Sequence, residues 1–279
     1  MDSYLNILIA YPYFSKSPDA YIKSLNNIKN KKFRFLLDSG AFTAWKAGNE
    51  INIDDYCSFL ENLKIKPWRY FTLDKIGDPI GTQKNYEIML KRGFNPIPIF
   101  TRGESLSVLE DFYKTSEVVG IGGLVGTQKN KGFVRGIMRH VGKRMVHWLG
   151  FTDIQFLKYF KPYMCDSSTW ESGARYGTLR LYLGKGKFVS INKQEFKDKP
   201  KQEILDRIKW LGVDPYLMSK VESWHGGNSY SRSLCARSGV SLSVDIEKNL
   251  KTKLFLATAT PLAVDLLVAG FNQLYGGKL

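Results

Sequence analysis

The sequence is poor in the residues that build disulfides and metal sites. It contains three cysteines, Cys57, Cys165 and Cys235, and three histidines among 279 residues. The cysteines are odd in number and widely spaced, which argues against a disulfide framework and against a cysteine-based metal cluster. We therefore expect a reduced, cytoplasmic protein that binds no metal.

Long apolar runs and cofactor-binding loops are also missing. No apolar run reaches the roughly 18 residues of a transmembrane helix, and no basic segment precedes the apolar N-terminal stretch, as it would in a signal peptide. The sequence has neither a GxxxxGKS phosphate loop nor a GxGxxG dinucleotide motif. We expect no membrane association and no cofactor.

Acidic residues are scarce relative to basic ones. The chain carries 26 Asp and Glu against 41 Lys and Arg, a formal net charge of +15. Such an excess favours a polyanionic partner, most often a nucleic acid; the alternative is a basic surface that is merely solvated. The candidate phosphate contacts are Arg135, Arg139, Arg175, Arg180, Lys185 and Lys187.

Short apolar segments alternate with amphipathic helical segments along the first 165 residues. The pattern predicts strands at 6–14, 33–37, 69–73, 96–100, 118–121, 144–149 and 163–165, and helices at 53–63, 82–92, 105–113, 132–141 and 153–160. This alternation is typical of βα units in a parallel sheet. Seven units in one chain favour an α/β fold of the closed (β/α)8 TIM-barrel type over an open sheet.

The pattern changes after residue 177. Residues 179–191 alternate around Gly-Lys-Gly and predict a hairpin, 192–201 form a lysine-rich connector, and 204–211 predict a helix. We expect a loop at 222–239, the last strand near 240–244, and a core helix over 254–271. Residues 1–279 are treated as one barrel domain, with core motifs in 33–177, a basic elaboration in 178–239 and closing elements in 240–279.

Carboxylates stand where three predicted strands end. Asp38 follows the second strand, Asp74 the third and Asp166 the seventh. Because the carboxyl ends of barrel strands meet at one mouth, we expect the three side chains in a common pocket. Paired carboxylates suit displacement at a sugar carbon, where one attacks and the other moves a proton. The alternative for Asp166 is a helix N-cap, since Asp is favoured there.

Other candidate ligand contacts lie near the same strand ends. The turn Gly122–Gly123 follows the fifth strand, and glycines let backbone amides approach a planar ligand. Four aromatic residues close by in sequence are candidates either to stack on a base or to fill the core: Phe42, Trp45, Phe71 and Phe100.

Five short motifs occur in the order found in a known family. The segments 38–42 (DSGAF), 72–74 (TLD), 120–126 (GIGGLVG), 147–150 (HWLG) and 164–166 (MCD) are similar to motifs of the tRNA-guanine transglycosylase superfamily. The resemblance implies a nucleophilic Asp166 and a general base Asp38. It also implies a base-binding set made of Ser39, Phe42, Asp74, Arg102, Gly122, Gly123, Leu124 and Leu149.

Two features of the sequence favour one branch of this family. The sequence lacks the CxCxxC…H zinc motif of the tRNA enzymes, and segment 168–177 resembles the phage and bacterial DNA-guanine transglycosylases. This resemblance implies exchange of guanine in double- or single-stranded DNA for a 7-deazaguanine such as preQ0. The target base would be flipped out, and a covalent Asp–sugar intermediate would form; a phage protein would act in the host cytoplasm.

Three alternatives remain open at this point. The same chemistry could act on tRNA. The chain could be a catalytically silent, basic nucleic-acid-binding barrel. It could also be a glycoside hydrolase that uses Asp38 and Asp166, because carboxylate pairs are common to that class.

Overall fold

The computed structural model describes residues 3–124, 131–171, 177–198, 200–220, 222–224 and 229–276. Ten strands occur in this part of the chain: β1 Leu5–Ala10, β2 Phe33–Asp38, β3 Arg69–Tyr70, β4 Ile99–Phe100, β5 Val118–Ile121, β6 Met145–Trp148, β7 Met164–Ser167, β8 Thr178–Gly184, β9 Lys187–Asn192 and β10 Lys253–Thr258. Eight form one sheet in the order β3-β2-β1-β10-β7-β6-β5-β4, and β8 and β9 form a separate hairpin.

The eight-stranded sheet is parallel and curled. The first strand, β1, lies between β2 and the last strand, β10. The outer strands β3 and β4 are joined by a single isolated parallel bridge, Phe71 with Ile97. There the Ile97 N–H donates to the Tyr70 carbonyl at 2.8 Å, and the Thr72 N–H donates to the Ile97 carbonyl at 3.0 Å. The fold is therefore TIM-like, and the described residues form no continuous ladder that closes the sheet.

Helices alternate with these strands, as the sequence predicts. In chain order they are α1 Tyr11–Phe14, α2 Pro18–Asn26, α3 Ala41–Lys46, α4 Ile53–Asn62, α5 Pro79–Lys91, α6 Leu106–Thr115, α7 Lys131–Val141, α8 Ile154–Phe160, α9 Lys193–Lys197, α10 Gln202–Trp210, α11 Tyr230–Leu250 and α12 Pro261–Tyr275. Asp153 caps α8 by accepting the N–H groups of Gln155 and Phe156.

Two apolar layers surround the sheet. The larger layer fills the space between the strands and the helices. A smaller cluster lies on the inner side of the curl and includes Leu36 of β2, Met164 of β7 and Phe255 of β10. Since side chains alternate along a strand, Asp38 and Asp166, two residues after Leu36 and Met164, face the same inner side. The strand pattern thus places both carboxylates above the inner apolar layer.

A separate hydrophobic cluster holds the segment between β7 and α11. It includes Leu179 and Leu181 of β8, Ile208 of α10, Trp224, and Leu234 of α11. The hairpin and the helix of this segment therefore pack against α11 through their own core, which confirms the predicted hairpin at 179–191 and the predicted helix at 204–211.

The C-terminal elements differ from the prediction. The predicted strand near 240–244 is part of the 21-residue helix α11, and the last strand is β10, which the prediction assigned to a helix. The residues from Val240 to Val244 alternate apolar and serine, a pattern that predicts a strand, but Ser241 and Ser243 are buried together with Val240 and Val244. The Ser243 hydroxyl donates to the Leu254 carbonyl at 2.6 Å, so a buried helix face can include serine.

The first strand is also shorter than predicted. The prediction covers 6–14, whereas β1 ends at Ala10 and residues 11–14 form α1, with Pro12 in its first turn. Proline cannot donate to a sheet ladder and fits the first turn of a helix, which explains the early end of the strand. Across the described residues, no helix combines the length and apolarity needed to cross a bilayer.

Candidate active site

Asp166 is anchored through one of its two carboxylate oxygens. Its Oδ1 accepts hydrogen bonds from His147 Nε2 at 2.9 Å and from the Gly150 N–H at 2.9 Å. Within the described residues Oδ2 has no hydrogen-bond partner, and the side chain is 15% exposed. Neither bond goes to a following helix, so Asp166 does not act as an N-cap. One oxygen is fixed while the other stays available to a ligand.

His147 is the site residue that the sequence did not reveal. It lies on β6, is fully buried, and its ring contacts Phe71 edge-on at a centroid distance of 4.9 Å. A carboxylate only accepts hydrogen bonds, so the Asp166 contact assigns the proton of the ring to Nε2. The other ring nitrogen, Nδ1, is buried and has no hydrogen-bond partner among the described residues.

Asp38 carries a strongly perturbed carboxyl group. Burial, with smaller contributions from the nearby carboxylates of Asp74 and Asp166, raises its pKa to about 7, against a lowering effect of the Gly40 N–H. That N–H donates to Asp38 Oδ2 at 2.9 Å. The carboxylates of Asp74 and Asp166 are therefore close enough to Asp38 to influence it electrostatically.

Asp74 is held by the turn that follows β2. The Ser39 hydroxyl, itself fully buried, donates to Asp74 Oδ1 at 2.7 Å. Burial raises the pKa of Asp74, although the Ser39 hydrogen bond lowers it. The turn requires glycine at position 40, because φ is +76° and a Cβ there would lie 2.1 Å from Pro12 Cδ.

The glycines after β5 have a packing role. The Gly122 N–H donates to the Phe100 carbonyl at 2.8 Å, and a Cβ at position 122 would lie 3.1 Å from Ile99 Cγ2. The amide of Gly122 is therefore used by the sheet, which corrects the expectation that it contacts a ligand. Gly123 has φ of +70°, a conformation that favours glycine.

The remaining candidates for base binding divide by exposure. Leu124 is fully buried between the sheet and the helices, which corrects its assignment as a ligand contact. Leu149 packs beside the inner cluster and stays partly exposed. Arg102 is exposed next to the ring of Phe133, with its guanidinium carbon 6.0 Å from the ring centroid.

The four aromatic candidates separate into two pairs. Phe71 and Phe100 are buried, so they belong to the core. Phe42 and Trp45 of α3 are 39% and 55% exposed, and their rings stack at 6.0 Å. Only the second pair is accessible to a ligand.

The basic candidates that the structure describes lie on α7 and on the β8–β9 hairpin. Arg135 and Arg139 are exposed on α7, one and two turns below Lys131, which pairs with Asp153 at 2.9 Å. Arg180 lies over the ring of Phe188 at 5.1 Å. The exposed Lys185 and Lys187 belong to the tip of the hairpin, where Lys158 Nζ of α8 donates to the Lys185 carbonyl at 3.5 Å. Arg175 lies outside the described residues.

No family model, curated protein or solved structure matches this chain. The argument for a function therefore starts from the three carboxylates and their immediate contacts.

Proposed function

We propose that this protein is a base-exchange transglycosylase that replaces guanine in DNA with a 7-deazaguanine such as preQ0. One observation carries the proposal. The mouth of the sheet combines an anchored, partly exposed Asp166 with an Asp38 carboxyl whose pKa is raised to about 7. A nucleophile and a proton-transfer group of this kind are what displacement at a sugar carbon requires.

In the first half-reaction, Asp166 attacks the sugar. With Oδ1 held by His147 and Gly150, Oδ2 forms a bond to C1′ while the bond from C1′ to guanine N9 breaks. Asp38 in its protonated form gives its proton to N9 as the base leaves. A pKa near neutrality keeps both forms of Asp38 populated, which suits an acid that later acts as a base.

In the second half-reaction, the flow of protons reverses. A 7-deazaguanine takes the place of guanine, and the Asp38 carboxylate removes its N9 proton. N9 then attacks C1′, and the bond from C1′ to the Asp166 oxygen breaks. One N-glycosidic bond replaces another, and both aspartates return to their starting states.

Asp74 fits the role of reading the base edge. Its Oδ1 accepts the Ser39 hydroxyl at 2.7 Å, and a carboxylate has further acceptor sites for the N–H groups of a guanine edge. Because the target base is paired inside a duplex, it must be extruded to reach this depth. The net charge of +15 supports a nucleic-acid substrate.

The fold supports the same proposal at finer detail. We infer that the Phe71–Ile97 bridge marks the closure of a (β/α)8 barrel, which would bring the ends of all eight strands to one mouth. The segment between β7 and α11 would then be the basic elaboration that meets the phosphate backbone, with Arg180 on the first strand of its hairpin.

Base exchange is tested directly by incorporation. Wild-type protein is incubated with duplex DNA, single-stranded DNA or tRNA and with preQ0 and related 7-deazaguanines, and the digested nucleosides are identified by mass. We expect incorporation into DNA and a protein–DNA adduct on a denaturing gel. Asp166→Ala should lower incorporation by roughly 1,000-fold or more and abolish the adduct.

A matched control uses a surface aspartate. Asp111 is 64% exposed and pairs with Lys114 at 2.6 Å on the outer side of α6, so Asp111→Asn should leave incorporation unchanged. An Asp166→Ala protein with wild-type incorporation would refute the nucleophile assignment. If the 7-deazaguanine were incorporated into tRNA but not into DNA, the substrate would be tRNA rather than DNA.

A further inference from the structure

A pocket lined by Asp74 opens beside the carboxylates of the candidate active site. It has a volume of about 270 Å³ and lies between the loop after α3 and the loop after β3. Its walls include Trp45, Asn49, Glu50, Asp74, Lys75 and Ile76. Ligand pockets usually measure about 300–1,000 Å³, so this pocket suits a group about as large as one nucleobase.

Asp74 forms a wall shared by this pocket and the candidate active site. Its carboxylate accepts the Ser39 hydroxyl, and Asp74 also lines the pocket. A ligand in the pocket would therefore lie next to the base held at the mouth. A neighbouring nucleotide of the same strand is a ligand that would be delivered to this position.

Trp45 offers an aromatic surface at the rim of the pocket. Its side chain is 55% exposed, and among the described residues the only ring that it contacts is Phe42, at 6.0 Å and 26°. Phe42 also carries the Lys46 ammonium at 4.4 Å from its ring centroid. An exposed indole face backed by a second ring is a suitable platform for stacking a base.

The rest of the pocket combines apolar walls with a polar edge. Ala44 and Ile76 supply apolar surface, whereas Asn49 supplies both hydrogen-bond donors and an acceptor. Glu50 and Lys75 form an ion pair at 2.6 Å at the same edge. A flat ligand with apolar faces and polar edges matches these walls, and a nucleobase has this form.

We propose that this pocket is a second nucleobase site, which takes the unstacked base adjacent to the target guanine and stacks it on Trp45. The site deepens the proposed function and rests on it for the identity of the neighbouring ligand. In this arrangement, the side of the candidate active site next to α3 binds bases, and the basic residues of α7 contact phosphates.

A fluorescence experiment tests the site without turnover. Single-stranded DNA with one guanine carries 2-aminopurine directly 5′ of the guanine, directly 3′ of it, or six nucleotides away. Stacking on an indole quenches 2-aminopurine, so we expect strong quenching at one flanking position and little at the remote position.

Substitutions at Trp45 supply the decisive comparison. Trp45→Ala should abolish the flanking quench and weaken oligonucleotide binding, followed by anisotropy, roughly 10-fold, while Trp45→Phe should keep most of the affinity. Position 45 is exposed and helical, so alanine is compatible with the fold. Trp210→Ala removes another exposed tryptophan, 51% exposed on α10, and should leave the quench intact.

The outcomes separate this site from the proposed reaction. Equal quenching at flanking and remote positions, or a Trp45→Ala protein that quenches like wild type, would each overturn the second site. Position-specific quenching lost in Trp45→Ala would support it even in a preparation that incorporates no 7-deazaguanine, in which case only the proposed reaction fails.

Discussion

Carboxyl groups at the mouth of the sheet and on the outer face of α6 lie in opposite electrostatic surroundings. At the mouth, burial and two neighbouring carboxylates raise the pKa of Asp38 to about 7. On α6, Glu110 accepts hydrogen bonds from Arg144 at 2.7 and 2.8 Å and from His140 at 2.7 Å. These contacts, those of Arg144 foremost, lower the pKa of Glu110 to about 2.

The contrast does not come from a shortage of cations. The chain has 41 Lys and Arg, yet in the part that the structure describes none of them forms an ion pair with the carboxylates of Asp38, Asp74 or Asp166. Their partners are uncharged donors, a backbone N–H or a serine hydroxyl, and one histidine. Without a cation, the mouth favours proton exchange near neutral pH, whereas the outer pairs fix charge and stabilise structure.

The largest expected effect comes from removing the proton-transfer group at the mouth. Asp38→Asn should lower base exchange roughly 100- to 10,000-fold, because an amide can neither donate nor accept the N9 proton. The asparagine oxygen can still accept the Gly40 N–H, so the turn should be kept. In wild type, the dependence of kcat/KM on pH should bend near pH 7, the pKa of Asp38, and this bend should vanish in the variant. An unchanged pH profile in Asp38→Asn would remove Asp38 from the reaction.

The next effect concerns the histidine beneath the nucleophile. His147→Phe keeps an aromatic ring against Phe71 but removes the donor to Asp166 Oδ1. We expect kcat to fall roughly 10- to 100-fold, as for loss of a hydrogen bond to a charged group. KM for DNA should stay constant because the buried ring contacts no substrate.

A second variant at this position distinguishes a role of His147 in positioning Asp166 from a role in packing alone. His147→Gln restores an amide donor in place of Nε2–H and should recover most of the lost kcat, although it packs less well than phenylalanine. If His147→Gln is slower than His147→Phe, packing rather than the hydrogen bond is what His147 contributes to Asp166.

A third effect appears in stability. In the folded protein the pKa of Asp38 is about 7, above the ordinary value of 3.8. Between pH 3.8 and pH 7, Asp38 is therefore protonated in the folded protein but ionised in the unfolded chain. Stability from this group is therefore highest near pH 4 and falls as pH rises to 7. Asp38→Asn should match wild type near pH 4 and exceed it by about 1 to 3 kcal/mol at pH 8, a value reduced for partial exposure. Urea unfolding at both pH values measures this, and a variant less stable at pH 8 would contradict the sign.

Much of the sheet could be predicted from the sequence because its strands are short, apolar and separated by helices. The strand at 118–121 matches β5 residue for residue, and Asp38 and Asp166 were found because each ends an apolar run. The region from Val240 to Thr258 could not be read in the same way. Buried serines there produce the alternating sequence pattern of a strand, and only the packing of α11 on β10 shows that they belong to a helix.

The contact between His147 and Asp166 depends on how strands β6 and β7 pair, which the sequence alone does not show. His147 stands in an apolar strand, where a histidine reads as part of the core. Its contact with Asp166, 19 residues away, arises because β6 and β7 are neighbours with His147 opposite Met164. The inward alternation of His147 with Leu149 was the one sequence signal that could have indicated it.

The smallest expected effect lies on the other side of the comparison, at Glu110. Its folded pKa of about 2 is below the ordinary 4.5, so its contribution to stability is present above pH 4.5 and is lost as pH falls toward 2. Glu110→Gln should be slightly less stable than wild type at pH 7 and equal to it near pH 2, the reverse of the trend at Asp38. Base exchange should not change, since Glu110 lies on the outer face of α6. Thermal unfolding between pH 2 and pH 7 measures the trend, and a loss of base exchange in Glu110→Gln would show that the two groups of carboxylates are not independent.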